Sequence, residues 1–232
     1  MTSGLRAAAA AMSVQLLKQD VYATNLANAN TVGYRRADLA VGSFAQALAQ
    51  AAVEPAAQAT LVDVAQGPIR ETGDPFDLAI NGPGMFAILT PAGIRYTRDG
   101  RFQRAPDGSL RTLSGQQVMG RAGPIVLPGM EITVTERGQI FSGGKFVDEL
   151  LIAQVGAADR LVRTPDGLFL GATESGLAPD ATIRQGCLEQ ANVTVVREMV
   201  QMLSSLRAFE ASATALRVTD QTLNRLIDLT QG

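Results

Sequence analysis

The chain has 232 residues, a formal net charge of −2, no His, no Trp and a single Cys, Cys187. Without His it holds no side chain that titrates near neutrality unperturbed, no Ser-His-Asp or Cys-His arrangement and no His-bearing zinc site, and one Cys excludes a disulfide scaffold closed within the chain. Its 20 basic residues, of which only Lys18 and Lys145 are Lys, face 22 acidic ones, with no basic run of the kind that grips nucleic acid.

Residues 5–32 are free of Gly and Pro and carry a seam at Leu5, Ala9, Met12, Leu16, Gln19, Ala23 and Leu26. Steps of four and three, averaging 3.5, predict a helix lying along another helix. The Ala run after Arg6 has the outline of a signal-peptide cleavage site. It lacks a Leu or Phe block, and cleavage would remove the first turns of the seam, so a retained N-terminus is expected. Gly33 in Thr31-Val32-Gly33-Tyr34 is placed to end the helix. Residues 43–60, rich in Ala and Gln, read as a flexible or weakly helical connector.

From Gly67 the texture changes to short β-prone runs. Met85–Leu89 and Ile94–Arg98 flank Thr90-Pro91-Ala92-Gly93, and Arg101–Arg104 and Ser109–Leu113 flank Ala105-Pro106-Asp107-Gly108. Each pair predicts a hairpin. Arg95, Arg98, Arg101 and Arg104, with Asp99-Gly100 as a turn, read as a solvated or subunit-facing hairpin rather than a nucleic-acid patch. Gly82-Pro83-Gly84-Met85-Phe86-Ala87 has the letters of a dinucleotide turn, but it opens a strand rather than a helix and holds a Pro. Gly138–Phe146 has phosphate-loop letters with the wrong spacing and reads as a Gly-rich hairpin tip. Glu71, Asp74 and Asp77 lie in a turn-type context, where Asp caps backbone, rather than a catalytic one.

From Cys187, expected as a small buried residue opening the last helix, residues 187–231 are again free of Gly and Pro. Their seam is Val195, Met199, Met202, Leu206, Phe209, Ala213, Leu216, Asp220, Leu223 and Ile227. Forty-five helical residues would span roughly 67 Å, far beyond a β body with a radius of gyration of about 15 Å. An exposed apolar seam of that length is a binding surface or an aggregation hazard. The fold class expected is α+β: long N- and C-terminal helices pairing as a coiled coil, around an inserted antiparallel all-β domain. The divisions expected are 1–32 helix, 33–66 connector, 67–185 all-β domain and 186–232 helix.

Three stretches carry a family resemblance. Asn25-Leu26-Ala27-Asn28-Ala29-Asn30-Thr31-Val32-Gly33-Tyr34-Arg35 resembles the N-terminal signature of bacterial flagellar axial proteins. Asp77–Gly82 through Phe86, with Tyr96–Phe102, resembles the β core of basal-body rod proteins, and Leu188–Val193 with Glu198–Val200 and Arg207–Glu210 resembles their C-terminal helix. Val32, Tyr34, Ala191 and Thr194 depart mildly from the pattern. Val118-Met119-Gly120, running into Gly123–Pro128, is similar to proximal rod members, and Thr219-Asp220-Gln221 to distal ones.

The resemblance implies a subunit of the rod, the hollow drive shaft between motor and hook. It implies export unfolded through the type III apparatus, and self and other rod or hook proteins as partners. It also implies no catalytic residue, cofactor, metal, nucleic acid or small-molecule substrate. The expected assembly interface is Leu5, Met12, Leu16, Asn25, Leu26, Asn28, Gly33, Tyr34, Asn192, Met199, Met202, Leu206, Phe209, Leu216, Leu223 and Ile227. Asn25, Asn28 and Asn192 would fix register between subunits, or else cap helices within the monomer. A non-flagellar coiled-coil fibre and an enzyme of unknown class are the alternatives.

Overall fold

The computed structural model describes the backbone of residues 2–39, 60–154, 161–171, 173–174 and 181–231; most of the connector expected at 43–60 lies outside them. Two helices occur among these residues, α1 (Thr2–Ala27) and α2 (Val195–Gln231). Between them run β1 (Ala37–Leu39), β2 (Thr60–Val62), β3 (Ile69–Glu71), β4 (Leu78–Asn81), β5 (Met85–Thr90), β6 (Gly93–Thr97), β7 (Phe102–Arg104), β8 (Leu110–Thr112) and β9 (Gln117–Val118). They are followed by β10 (Ile132–Val134), β11 (Gln139–Ser142), β12 (Lys145–Glu149), β13 (Ile152–Gln154), β14 (Val162–Arg163), β15 (Phe169–Leu170), β16 (Thr173–Glu174), β17 (Thr182–Gln185) and β18 (Cys187–Glu189).

The chain divides into two compact units. One comprises α1, residues 37–61 and the chain from Thr194 onward; the other comprises residues 28–36 and 62–193.

In the first unit α1 lies against α2, but the expected coiled coil does not form. Leu16, Met199 and Leu206 of the predicted seams are 49%, 46% and 42% exposed. The least exposed positions of α2 are instead Glu198 and Ser205, with Met202, Phe209, Ser212 and Leu216 half-buried. Half of that stripe is displaced by one residue from the seam. The polar bonds explain the displacement: Ser205 Oγ donates to the Gln15 carbonyl at 3.0 Å, and Asn25 Nδ2 donates to Glu198 at 3.0 Å. A buried polar group must keep its partner, so these pairs set the helix rotation rather than the apolar period. The α+β class stands without the coiled-coil pairing.

Both helices are also shorter than the Gly/Pro-free runs. α1 stops at Ala27, where Thr31 N–H turns back to the Asn28 carbonyl at 3.0 Å. Gly33 follows with φ of +68°, and a Cβ there would lie 2.4 Å from the Arg98 carbonyl carbon, so only Gly fits. α2 begins at Val195 because Cys187–Glu189 pairs antiparallel with β3. Cys187 is buried as expected, but on a strand. Glu198 in the first turn of α2 suits the positive end of the helix dipole.

The second unit is built on β5, whose residues Met85–Ile88 are all buried. β5 pairs with β6, β9 and β13 in a nine-stranded sheet that runs β14-β15-β6-β5-β9-β8-β7, with β13 and β16 beside it. A strand covered on both faces reads as a continuous apolar run, which is why Met-Phe-Ala-Ile-Leu does not alternate. The core gathers Leu78, Ile80, Phe86, Ile88, Leu110, Ile125, Ile140 and Ile152; Phe86 meets Phe102 edge-to-face at 5.2 Å. The two predicted hairpins are β5–β6 and β7–β8. β11–β12 forms the Gly-rich hairpin, with Gly143-Gly144 at its tip.

One hairpin expectation fails. β6 and β7, on either side of Asp99-Gly100, do not pair with each other, and Arg98 between them is buried rather than solvated. Its guanidinium is drawn inward by the Ile80 carbonyl at 2.8 Å, the Gly82 carbonyl and Glu189.

Candidate assembly site

The N-terminal motif, the β core and the C-terminal motif converge in the second unit on one carboxylate. Glu189, on β18, meets Arg35 at 2.8 Å and Arg98 at 3.2 Å. All three side chains are at most 3% exposed. Glu189 also accepts the Gly67 N–H at 2.9 Å, while its backbone carbonyl accepts the Gly33 N–H at 2.8 Å.

Desolvation disfavours the charged form of a buried base. It pushes Arg98 down to about 10, aided by the like charge of Arg35 and opposed by Glu189. Burial likewise lowers Arg35, against the pull of Glu189 and Asp63. Glu189 is the counter-charge that permits the two guanidinium groups inside.

The segment 34–36 is also held by Asn192. Its Oδ1 accepts the Arg36 N–H, and its Nδ2 donates to the carbonyls of Ala65 at 2.9 Å and Asp63 at 3.2 Å. Tyr34 lies under the Arg163 guanidinium, 4.2 Å from the ring centroid, and Arg163 also faces Phe169 at 5.0 Å. Burial lowers the Arg163 pKa. Cation–π contact with two rings offsets part of that desolvation.

In the first unit Asn25 is fully buried. Its Nδ2 donates to the Ala37 carbonyl at 2.8 Å and to Glu198, and its Oδ1 accepts the Ala37 N–H at 2.9 Å. The side chain thus completes the edge of β1 as a paired strand would.

The residues expected as one interface therefore fall into two groups. Asn25, Gly33 and Tyr34 are buried and Asn192 is half-buried, each engaged inside the subunit. Asn28 accepts the Thr31 hydroxyl at 3.1 Å. Leu16, Met199 and Leu206 are exposed, and Met12, Leu26, Met202, Phe209 and Leu216 are half-buried. The side chains of Leu5, Leu223 and Ile227 lie outside the described residues.

The exposed face of α2 includes residues the seam omitted: Val196, Val200 and Leu203, each more than half exposed, beside Met199 and Leu206. Glu189, Arg98, Glu198 and Ser205 were also absent from the expected site, since a charged or polar letter reads as surface until a partner is seen. Among the described residues no cluster of acidic or Cys side chains could hold a metal, and no helix is long and apolar enough to cross a membrane.

Comparison with known proteins places these features. Residues 5–35 match the family described as flagella basal body rod protein. Residues 79–142 match the flagellar hook protein FlgE/F/G D1 domain, and residues 184–229 match the flagellar basal body rod FlgEFG protein C-terminal family. The flagellar basal-body rod protein FlgF of Caulobacter vibrioides is 34% identical over 206 residues, covering 84% of each chain. FlgF of Mesorhizobium japonicum is 33% identical over 224 residues, covering 90% of this chain and 91% of its own. FlgG of Agrobacterium fabrum is 30% identical over 253 residues, covering 94% and 95%. The chain belongs to the flagellar basal-body rod protein family.

Proposed function

We propose that this chain is a non-enzymatic, structural subunit of the bacterial flagellar basal-body rod, assembling with copies of itself and with other rod and hook proteins. The observation that carries this reading is the run of family matches, in chain order, across both terminal helices and the β body. The relatives' near-full coverage adds to it.

The geometry supplies a means. In the helical unit α2 presents Val196, Met199, Val200, Leu203 and Leu206 to solvent. Each apolar side chain of that size contributes about 1.5–3 kcal/mol on full burial, so covering a few of them between subunits suffices for stable contact. The expected interface residues Met199 and Leu206 belong to this face, and Leu16 is exposed on α1. Asn25 and Asn192 act inside each subunit, holding segments that precede and follow the helices. The fibre and enzyme alternatives have no feature here that favours them.

Delivery through the flagellar export apparatus, with the N-terminus retained, is part of the same proposal. It is supported by a first helix, Thr2–Ala27, most of which lies within the matched rod segment, residues 5–35.

Basal bodies isolated from cells that carry an epitope on the exposed β11–β12 tip test the reading. Antibody decoration along the rod and loss of the rod on deletion of the chain are expected. Labelled protein found only away from basal bodies, with rods intact after deletion, would overturn it.

A further inference from the structure

Asn81-Gly82 is the single Asn-Gly pair in the chain, and it closes β4 with Asn81 exposed to water. Asn-Gly is the dipeptide most prone to spontaneous deamidation, since Gly places no side chain in the way of ring closure. In that reaction the Gly82 backbone nitrogen loses its proton and attacks Asn81 Cγ. A carbon–nitrogen bond forms, the bond from Cγ to the side-chain nitrogen breaks, and ammonia leaves with the displaced proton. Water then opens the resulting succinimide to aspartate or isoaspartate.

The backbone groups that flank Asn81 are held. Gly82 N–H donates to Gln66 Oε1 at 3.0 Å, and Gln66 Nε2 donates to the Ile80 carbonyl at 3.1 Å. One side-chain amide thus brackets Asn81 as an antiparallel neighbour would. Arg98 Nη1 donates to the same Ile80 carbonyl at 2.8 Å, and its Nη2 to the Gly82 carbonyl. On the opposite edge β17 pairs residue for residue, Thr182 against Asn81. Ring closure requires ψ of Asn81 to leave the extended region of a strand, which breaks several of these bonds together.

We propose that Asn81 is a latent deamidation site, kept intact in the folded subunit by the Gln66–Arg98 clamp on the backbone of residues 80–82. Whenever the chain is unfolded the clamp is absent and the reaction runs at the rate of a free Asn-Gly peptide. The isoaspartate product adds a backbone atom inside β4 and destroys its register with β17, so an aged unfolded chain loses the ability to rebuild that pair.

The test follows Asn81 by peptide mass mapping during incubation at neutral to mildly alkaline pH. Three samples are compared: the folded full chain, the same chain in urea, and Gln66→Ala with its fold confirmed by circular dichroism. Slow reaction in the folded chain, fast reaction in urea and an intermediate rate in Gln66→Ala are expected. The variant should exceed the folded wild type roughly fivefold, the factor worth one ordinary hydrogen bond, because only the Gly82 N–H is left bare while the Ile80 carbonyl keeps Arg98. A folded rate equal to that in urea overturns the proposal without any variant; a folded Gln66→Ala that reacts at the wild-type rate overturns the role of Gln66.

Discussion

Asn25 and Glu198, 173 positions apart, meet at 3.0 Å through amide nitrogen and carboxylate, and both are buried. The same amide also satisfies both backbone groups of Ala37. Leaving a buried donor or acceptor unpaired costs about 1–3 kcal/mol. Asn25→Ala strands Ala37 N–H and C=O, so the helical unit should lose about that much. Urea unfolding followed by the helical signal measures it, and an unchanged midpoint would show that water replaces the amide.

Glu189→Gln removes the negative charge between Arg35 and Arg98. Breaking a buried ion pair from one side costs about 3–5 kcal/mol because an uncompensated charge stays inside. The β unit should therefore unfold at markedly lower denaturant. Limited trypsin digestion should in turn cut after Arg35 or Arg36, which Glu189 and Asn192 hold against the body.

Asp107 gives a pH signature. The Ser109 hydroxyl at 2.6 Å, with the Ser109 N–H and Arg111, lowers its carboxyl from the ordinary 3.8 to about 2. A folded pKa below the unfolded one means stability present above about pH 3.8 and lost as pH falls towards 2. The carboxyl resonance of Asp107 should titrate near pH 2, Ser109→Ala should raise that midpoint, and Asp107→Asn should flatten the acid limb of stability in this window.

Phe86 is fully buried against Phe102. Phe86→Ala leaves a cavity at the centre of the sheet and should destabilise the β unit by about 3–5 kcal/mol. Thermal melting compared with that of an exposed control, Phe146→Ala, checks it.

Much of this architecture is legible in the chain, and what is not has a common cause. The β5–β6 and β7–β8 hairpins follow from alternating β-prone runs around Pro/Gly turns, because local turn chemistry decides them. The face that α2 turns towards α1 does not follow from the apolar period. Ser205 and Glu198 occupy it, and their partners Gln15 and Asn25 lie far away in sequence. The buried triad is hidden for the same reason: Arg98 reads as one of four solvated arginines until Glu189, 91 positions later, is brought beside it. β18 reads as helix in the sequence because the absence of Gly and Pro permits helix without requiring it, but pairing with β3 prevails. Polar groups whose energy depends on a distant partner carry no local signal.

The central claim is that the exposed apolar face of α2 meets other subunits in the rod. The most direct measurement is electron microscopy of basal bodies, with swimming assays, from cells whose only copy of the chain carries Leu203→Asp and Leu206→Asp. Both side chains are exposed, so the purified variant should keep the wild-type circular dichroism. A folded monomer, basal bodies without a complete rod and no motility are expected. Full-length rods and normal swimming with both aspartates in place would contradict it.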